Sequence, residues 1–329
     1  MWLINTKTLL LEHFSSDIPP YAILSHTWED GEVSFDEMRS ADRTHKKGYE
    51  KILQTCLLAK SQSNLGYAWI DTCCIDKSSS AELSEAINSM FSYYRDATVC
   101  YVYLADFATV TGQQSGYGAS RWFSRGWTLQ ELIAPQDLDF FDNNWKKFGS
   151  KLSMADSLSS ITGIPSMVLS GRRVLSDCSV AMRMSWAASR QTTRAEDIAY
   201  CLLGIFDVHM PLIYGEGRGA FRRLQEEIVK RYNDLSLFAW EQPSEAEREG
   251  PQFLDLFAAS PAAFPRAPDI RTITNSFPEF SVTNKGLHVS GGTPLRTVKV
   301  SLEGKKYDAY ALYLGSSRYA MTKTILKRS

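Results

Sequence analysis

The chain has 329 residues, a formal net charge of −1, and the hydrophobic (44%) and charged (22%) content of an ordinary globular protein. This balance excludes a bulk basic field that would recruit nucleic acid or an anionic membrane, so small-molecule or protein partners are expected. Single cores rarely grow beyond roughly 250–300 residues, which predicts a main domain with an extension.

The cysteines and histidines predict neither disulfides nor a metal site. None of the six cysteines belongs to a Cys-x-x-Cys motif, and the five histidines lack the spacing of metal ligands. The sequence shows no signal peptide and no apolar run of about 18 residues. We therefore expect a soluble cytoplasmic protein with reduced thiols and no membrane span.

The first segments predict a hairpin followed by a buried strand. Trp2–Asn5 and Leu9–Glu12 flank a short polar connector, which is typical of a hairpin at a sheet edge. The continuous apolar run Tyr21–Ser25 has the length of a strand buried on both faces, and a polar loop follows it. His26 in that loop is either a satisfied core or loop histidine or a ligand contact.

Helices and strands then alternate. Gly48–Ala59 carries a helical apolar stripe, and Tyr67–Asp71 is predicted to be a second buried strand with Asp71 at its carboxyl end. Asp76, a little further on, is interpreted as a turn or cap acid, although either acid has the chemistry to face a ligand.

A second alternation follows. The sequence Ser79–Glu82 matches a capping box, so an amphipathic helix should begin there. Cys100–Leu104 and Leu138–Phe141 are predicted strands. Between them, Ala108–Ser120 is rich in Gly, Gln and Ser, which predicts a loop able to act as a lid.

A short helix is predicted just before the last of these strands. Ser124 is a good N-cap, Trp127–Ala134 is compatible with a helix, and Pro135 cannot continue it. Trp127 and Glu131 would then share a face, and the indole would exclude water from the carboxylate or form one wall of a ligand pocket.

A second interpretation of this helix needs no function. Glu131 would be a solvated acid paired with Arg121 or Arg125, and Trp127 would be an ordinary core residue.

The alternation predicts an α/β fold with an open, mainly parallel sheet and right-handed crossovers. In such sheets, ligands bind in the crevice outside the carboxyl ends of the strands. Five side chains are predicted to meet at that rim, namely Ser25, His26, Trp28, Asp71 and Glu131.

We expect three regions: the α/β domain with its hairpin (1–150), a helical extension (151–235) and a β-rich segment (236–329). The Gly-x-Gly of Tyr214–Gly217 lacks the third glycine and the preceding strand of a dinucleotide-binding fingerprint, so a phosphate cradle is not expected there. The helix that follows is interpreted as having a basic, solvent-exposed face formed by Arg218, Arg222, Arg223, Lys230 and Arg231.

The predicted elements of the last region are strands and one loop. Leu237–Trp240 has the pattern of a strand, and Gln242–Gly250 that of a charged surface loop. Alternating runs broken by glycines over Phe280–Leu314 predict β-hairpins.

Taken together, several segments resemble the fungal heterokaryon incompatibility (HET) domain family. They are Tyr21–Trp28, Trp69–Lys77, Arg125–Leu132, Glu196–Phe206, Tyr214–Gly217 and Leu235–Trp240. The resemblance covers about residues 1–265 and implies a role in non-self recognition that ends in the death of fused, incompatible cells.

The HET domain in turn looks like a remote relative of TIR domains, which implies a TIR/flavodoxin-like sheet. Ser124–Leu132 is similar to the TIR pattern Ser-x-x-Trp-Cys-x-x-Glu-Leu, with Thr128 in the place of the cysteine. The glutamate of that pattern is catalytic in TIR domains that cleave NAD⁺, and the matching residue here is Glu131. Ser25, His26, Trp28, Asp71 and Trp127 would then bind the substrate.

The resemblance therefore implies an NAD⁺ nucleosidase with Glu131 as the catalytic carboxylate, NAD⁺ as substrate and no separate cofactor. A homo-oligomer formed on activation and an upstream recognition protein are the expected partners. Two alternatives stay open: a non-enzymatic self-assembly module that triggers cell death through partners, and a Mg²⁺-dependent hydrolase or nuclease using Asp71, Asp76 and Glu131.

Overall fold

A computed structural model describes residues 1–109, 116–241, 256–264, 279–283, 286–289, 296–302, 305–313 and 322–326. The chain divides into two compact units. The first contains Met1–Arg173, Arg190–Thr193 and Tyr200–Leu212, and the second contains Val174–Ser189, Arg194–Ala199 and Ile213–Ser329. The domain boundaries expected at residues 150 and 235 stay predictions.

Within the described part of the first unit, seven strands form one sheet. They are β1 (Trp2–Asn5), β2 (Leu11–His13), β3 (Tyr21–His26), β4 (Tyr67–Trp69), β5 (Val99–Tyr103), β6 (Leu138–Phe141) and β7 (Lys147–Ser150). The strand order is β2-β1-β4-β3-β5-β6-β7, with β4, β3, β5 and β6 parallel to one another. The β1–β2 hairpin adds to one side of this parallel core through an antiparallel pair of β1 with β4, and β7 adds to the other side, antiparallel to β6.

The order of the four parallel strands determines the edge of the sheet at which a ligand crevice is expected. Taken in chain order, its four strands lie in the sequence 2-1-3-4, which is the flavodoxin-like order. The strand after β3 in the chain, β4, lies on one side of β3, and the next, β5, lies on the other, so the strand order reverses between β3 and β5. The crevice expected for a ligand therefore lies at the carboxyl ends of these two strands. Every residue of Tyr21–His26 is buried, because both faces of this central strand are covered.

The helices predicted over Gly48–Ala59, from Ser79, over Trp127–Ala134 and after Gly217 are confirmed with shifted ends, whereas those at Phe35–Met38 and Ser166–Leu169 were not predicted. In the described residues, the α-helices are α1 (Phe35–Met38), α2 (Tyr49–Gln62), α3 (Ser80–Asp96), α4 (Thr128–Ile133), α5 (Ala155–Thr162), α6 (Ser166–Leu169), α7 (Val180–Ser185), α8 (Asp197–Tyr200) and α9 (Gly219–Arg231). Ser79 caps α3 as predicted, but the Glu82 carboxylate accepts from the Asp76 backbone N–H rather than from Ser79. Asp76 is a turn acid whose carboxylate accepts from Ser78.

The β-rich end is confirmed. Strands β8 (Phe280–Thr283) and β9 (Gly286–Val289) form an antiparallel pair, and β10 (Arg296–Leu302), β11 (Lys305–Tyr313) and β12 (Thr322–Leu326) form an antiparallel sheet. The predicted loop Gln242–Gly250 lies outside the described residues, and so do residues 110–115 of the predicted lid.

The predicted strand Leu237–Trp240 is wrong: Leu235–Phe238 is a 3₁₀ helix. The Asp234 carboxylate decides this, because it caps the turn at Ser236 N and also accepts from Val180 N, at 2.9 and 2.8 Å. A capped turn with buried hydrogen bonds outweighs the weak strand preference of four apolar residues.

The Gly-x-Gly loop binds a side-chain carboxylate of the same chain. The backbone N–H groups of Gly215 and Gly217 both donate to the Glu196 carboxylate, at 2.8 and 2.9 Å. The backbone N–H of Glu196 itself, together with these two hydrogen bonds, holds the pKa of Glu196 below its ordinary value. The loop thus binds a carboxylate of its own chain, in agreement with the expectation that it is not a phosphate cradle.

Gly204 should not tolerate a side chain. A Cβ built at this position would lie 2.0 Å from the Cβ of Phe91, an atom that cannot move without the backbone of α3. We expect Gly204→Ala to lower the free energy of unfolding by about 1–3 kcal/mol in a urea titration. Gly66→Ala is the matched control, since nothing lies within 4 Å of its Cβ position, and an equal loss in both variants would contradict the packing argument.

Candidate functional site at the carboxyl edge of the sheet

The sheet brings the predicted polar side chains to one rim. Ser25 and His26 are the last residues of β3, and His26 is paired with Tyr103 at the end of β5. Asp71 follows β4, the other neighbour of β3. These strand ends form the carboxyl edge at the point where the strand order reverses, which is where the topology predicts a ligand crevice.

A buried carboxyl group lies against β3. The Ser25 hydroxyl donates to Glu131 Oε2 at 2.5 Å and accepts from the Trp122 indole Nε1–H at 2.8 Å. Glu131 is 6% exposed, and Ser25 and Trp122 are both 0% exposed. The solvated-acid interpretation of Glu131 is therefore wrong.

The environment of Glu131 favours its protonated form. Burial raises the pKa of this carboxyl to about 8, and the negative charge of Asp71 adds to the rise. Hydrogen bonds from Ser25 and Tyr94 and the positive charge of Arg190 oppose the shift without cancelling it. At neutral pH the resting protein therefore holds a proton on Glu131.

The arginines predicted to pair with Glu131 are engaged elsewhere. Arg121 forms ion pairs with Glu29 and Asp106, at 3.1 and 3.4 Å. The Arg125 guanidinium donates to Thr193 Oγ1 at 3.3 Å.

The predicted start of α4 is wrong. Ser124 ends a 3₁₀ helix over Arg121–Ser124, and its hydroxyl donates to the Arg121 carbonyl rather than capping α4. Trp127 occupies the N-cap position of α4 and is half-buried. The indole bonded to Ser25 is that of Trp122, which the 3₁₀ turn carries into the core. The pairing of Trp127 with Glu131 stays a prediction.

Arg190 and Thr128 support the loop before α4. Arg190 is buried, and its guanidinium donates to the Arg125 carbonyl and to Thr128 Oγ1, at 2.8 and 3.0 Å. The Thr128 hydroxyl in turn lies against the Trp122 and Arg125 carbonyls, at 2.5 and 3.0 Å. These contacts fix the segment that carries both Trp122 and Glu131.

His26 lies in a second polar cluster, with Lys51. The Lys51 ammonium contacts Glu32 and lies 3.3 Å from His26 Nδ1, while His26 Nε2 lies 3.2 Å from Asp71 Oδ1. Because an ionised carboxylate can only accept, Nε2–H donates to Asp71. Both ring nitrogens of His26 thus have partners within the protein, and a ligand contact stays a prediction.

Asp71 belongs to both clusters. It accepts from His26 and from the Trp28 indole Nε1–H, the latter at 2.8 Å, and its charge acts on Glu131. Burial pushes the pKa of Asp71 upward, but the hydrogen bond and charge of His26, with the charge of Lys77, outweigh it and hold the pKa below its ordinary value. Two neighbouring carboxyl groups therefore differ in protonation at neutral pH, Asp71 being ionised and Glu131 neutral.

Sequence reasoning missed several residues of these clusters: Lys51, Lys77, Tyr94, Trp122 and Arg190. The sequence did predict Ser25 at a strand end and Glu131 on a helix near the same rim. Lys51 had no such signal, because it opens a predicted helix and resembles any solvent-facing lysine.

Asp71, Asp76 and Glu131, the acids of the magnesium alternative, do not form a set of three ligands in the described residues. In the ranges that the structure describes, no three His, Cys, Asp or Glu side chains are placed to hold a metal ion. Asp76 is engaged with Ser78 in its turn.

A cavity of about 460 Å³ lies at the opposite edge of the sheet. Its lining includes Pro20 and Tyr21, at the start of β3, and Thr98, just before β5. It is thus separate from the polar rim at the carboxyl ends.

The fold and this rim define an α/β domain, and comparison with known families gives its class. Residues 21–117 match the family described as heterokaryon incompatibility protein (HET). The chain therefore carries a HET domain and belongs to that family over this region. Residues 219–289 match a domain of unknown function, DUF8212.

One relative extends the likeness beyond the family match. The chain is 49% identical over 226 residues to the vegetative incompatibility protein HET-E-1 of Podospora anserina. The match covers 66% of this chain and 16% of the length of that protein. No solved structure matches the chain. Of the helices that the structure describes, none has the length and apolar character needed to cross a membrane.

The buried acid should make stability depend on pH. The folded protein keeps the Glu131 proton up to about pH 8, whereas the unfolded chain loses it near the ordinary value of 4.5. Unfolding therefore releases a proton between these values, and this acid costs stability as pH rises. We expect the melting temperature of Glu131→Gln to exceed that of the wild type at pH 8 and to approach it at pH 5.

Differential scanning fluorimetry of both proteins across this pH range checks the expectation. A temperature difference that does not change with pH would show that Glu131 is ionised in the folded state.

Proposed function

We propose that this domain is an NAD⁺ nucleosidase, which releases nicotinamide from NAD⁺ in an incompatibility reaction that ends in cell death. The observation that supports the proposal is the buried carboxyl group of Glu131. It accepts a hydrogen bond from Ser25 and lies beside the carboxyl edge of the sheet, where the strand order reverses. The name of the 49% identical relative supports the incompatibility role. The TIR-like pattern around Glu131 supports the reaction.

The chemistry needs one carboxylate. The bond between ribose C1′ and the nicotinamide nitrogen breaks, and its electron pair leaves with the neutral nicotinamide. No acid is required for departure, unlike in glycosidases that expel an alcohol. Ionised Glu131 stabilises the positive charge that develops on the ribose, and water or the adenine ring then attacks C1′ to give linear or cyclic ADP-ribose.

The substrate itself ionises the acid. In the resting protein Glu131 is neutral because of burial and the Asp71 charge. A cationic nicotinamide ring nearby favours the carboxylate and lowers its pKa. Ser25 and His26 position the substrate, and Trp28, which is half exposed, offers a ring face for stacking.

Access to Glu131 requires an opening. The carboxyl is 6% exposed and covered by neighbouring side chains, so this conformation is a resting state in the proposal. Self-association, prompted by an upstream recognition protein, supplies the change that uncovers it. The proposed location is the cytoplasm, where NAD⁺ is present.

One observation favours a second candidate, the non-enzymatic assembly module. The Ser25 hydroxyl is satisfied within the protein on both its donor and acceptor sides, as expected of a structural core contact. Cell killing by this module would survive Glu131→Gln and fail with surface charge reversals that block association.

Nicotinamide release separates the two candidates. Purified protein at high concentration, incubated with NAD⁺, should release nicotinamide, and Glu131→Gln should lower the rate by at least about a hundredfold, as loss of a charge-stabilising group does. Glu50→Gln is the matched control, because Glu50 is an exposed acid on α2 bonded only locally to Gln54. Equal rates in wild type and Glu131→Gln would remove Glu131 from the mechanism.

The rate should also depend on pH through this acid. We expect kcat/KM for NAD⁺ to rise up to about pH 8 and then level off, as the free protein loses the Glu131 proton. Asp71→Asn removes the negative charge that raises the pKa of Glu131, so the rising limb should move to lower pH. The midpoint of the profile is the measurement, because Asp71 also affects the absolute rate, and an unmoved midpoint would contradict the coupling.

A further inference from the structure

Trp28 is an exposed indole with one face already occupied. Its side chain lies at the rim and the residue is 50% exposed. The Lys77 ammonium lies 3.9 Å from the centroid of its ring. The indole N–H donates to Asp71 Oδ2 at 2.8 Å. An aromatic face, a carboxylate and a cation therefore converge at one point of the rim.

This arrangement has the chemistry of a cation site. A cation over an indole face is attracted by the ring quadrupole, and an N–H that donates to a carboxylate makes the ring more electron-rich. The negative charges of Asp71 and Glu32 also act on Lys77. The same two groups, ring face and carboxylate, would attract any flat cation of similar size.

We propose that Trp28 and Asp71 form a recognition site for a flat organic cation, the pyridinium ring of an oxidised nicotinamide, and that Lys77 fills it in the resting protein. The choice of ligand rests on the proposed function, whereas the cation site rests on the geometry alone. The pyridinium ring stacks on Trp28 and displaces the Lys77 ammonium.

Displacement gives Lys77 a second role. Its four-carbon stem is flexible, and the freed ammonium can pair with the diphosphate of a dinucleotide. The site then selects the oxidation state, because the reduced dihydropyridine ring carries no charge. Trp28 and Asp71 are thus specificity residues for the cationic ring, and Lys77 is an internal competitor.

Two small probes isolate the effect of charge. 1-Methylnicotinamide is a pyridinium cation, and nicotinamide is its neutral counterpart of nearly equal shape. Isothermal titration calorimetry on the full chain should show the cation binding roughly three- to tenfold more tightly, the range expected for one cation–π contact with a nearby carboxylate. Trp28→Leu should remove this preference.

Lys77→Met tests the internal competitor. It removes the ammonium and keeps the length of the side chain, so the affinity for 1-methylnicotinamide should increase by roughly threefold or more, while nicotinamide binding stays unchanged. Lys147→Met is the matched control, because Lys147 pairs with Asp139 near the other side of the sheet and should leave both affinities as they are. Circular dichroism confirms that each variant is folded.

The outcomes separate this inference from the nucleosidase proposal, because binding of these probes needs no turnover. Equal or absent binding of the two probes overturns the cation site, even if NAD⁺ is cleaved. An unchanged affinity in Lys77→Met overturns the competitor role. Preferential binding of the cation without any NAD⁺ cleavage keeps the site and removes the nucleosidase.

Discussion

The hydrogen bond between Ser25 and Glu131 is the contact on which the rim depends. It joins β3 to α4 across 106 residues of chain and places a carboxyl group in the core. Burying an ionised carboxylate without a charged partner costs much free energy, and a carboxyl group that keeps its proton avoids that cost. The surroundings of Glu131 follow from this constraint: Trp122 orients the serine hydroxyl, and Arg190 secures the segment that carries both.

Asp71 is the second half of the same arrangement. It is held ionised by His26, Lys77 and Trp28, and its charge adds to the burial that raises the pKa of its neighbour Glu131. Pairs of carboxyl groups whose environments separate their pKa values are typical of sites that carry out acid–base or charge-stabilising chemistry. The first unit of this chain thus places two acids of opposite protonation near the edge where an open parallel sheet accepts ligands.

Much of this was readable from the chain. Apolar runs such as Tyr21–Ser25 predicted the strands, and topology alone placed Ser25, His26 and Asp71 at one edge. The N-cap was misassigned because a serine followed by helix formers predicts one continuous helix, whereas Arg121–Ser124 closes as a separate 3₁₀ turn. The difference lies in long-range hydrogen bonds, including that between Trp122 and Ser25, which no local pattern reports.

The burial of Glu131 supports a structural and a catalytic interpretation equally, since a satisfied core acid and a latent catalytic acid have the same contacts at rest. The protonation state of Glu131 distinguishes the structural interpretation from the catalytic one. A purely structural role gains nothing from a carboxyl over an amide, because the neutral acid and glutamine fill the same space and both accept from Ser25. A residue that must become negative only when a cation arrives cannot be replaced in that way. The protonation of Glu131 at rest is therefore the property on which the two interpretations differ.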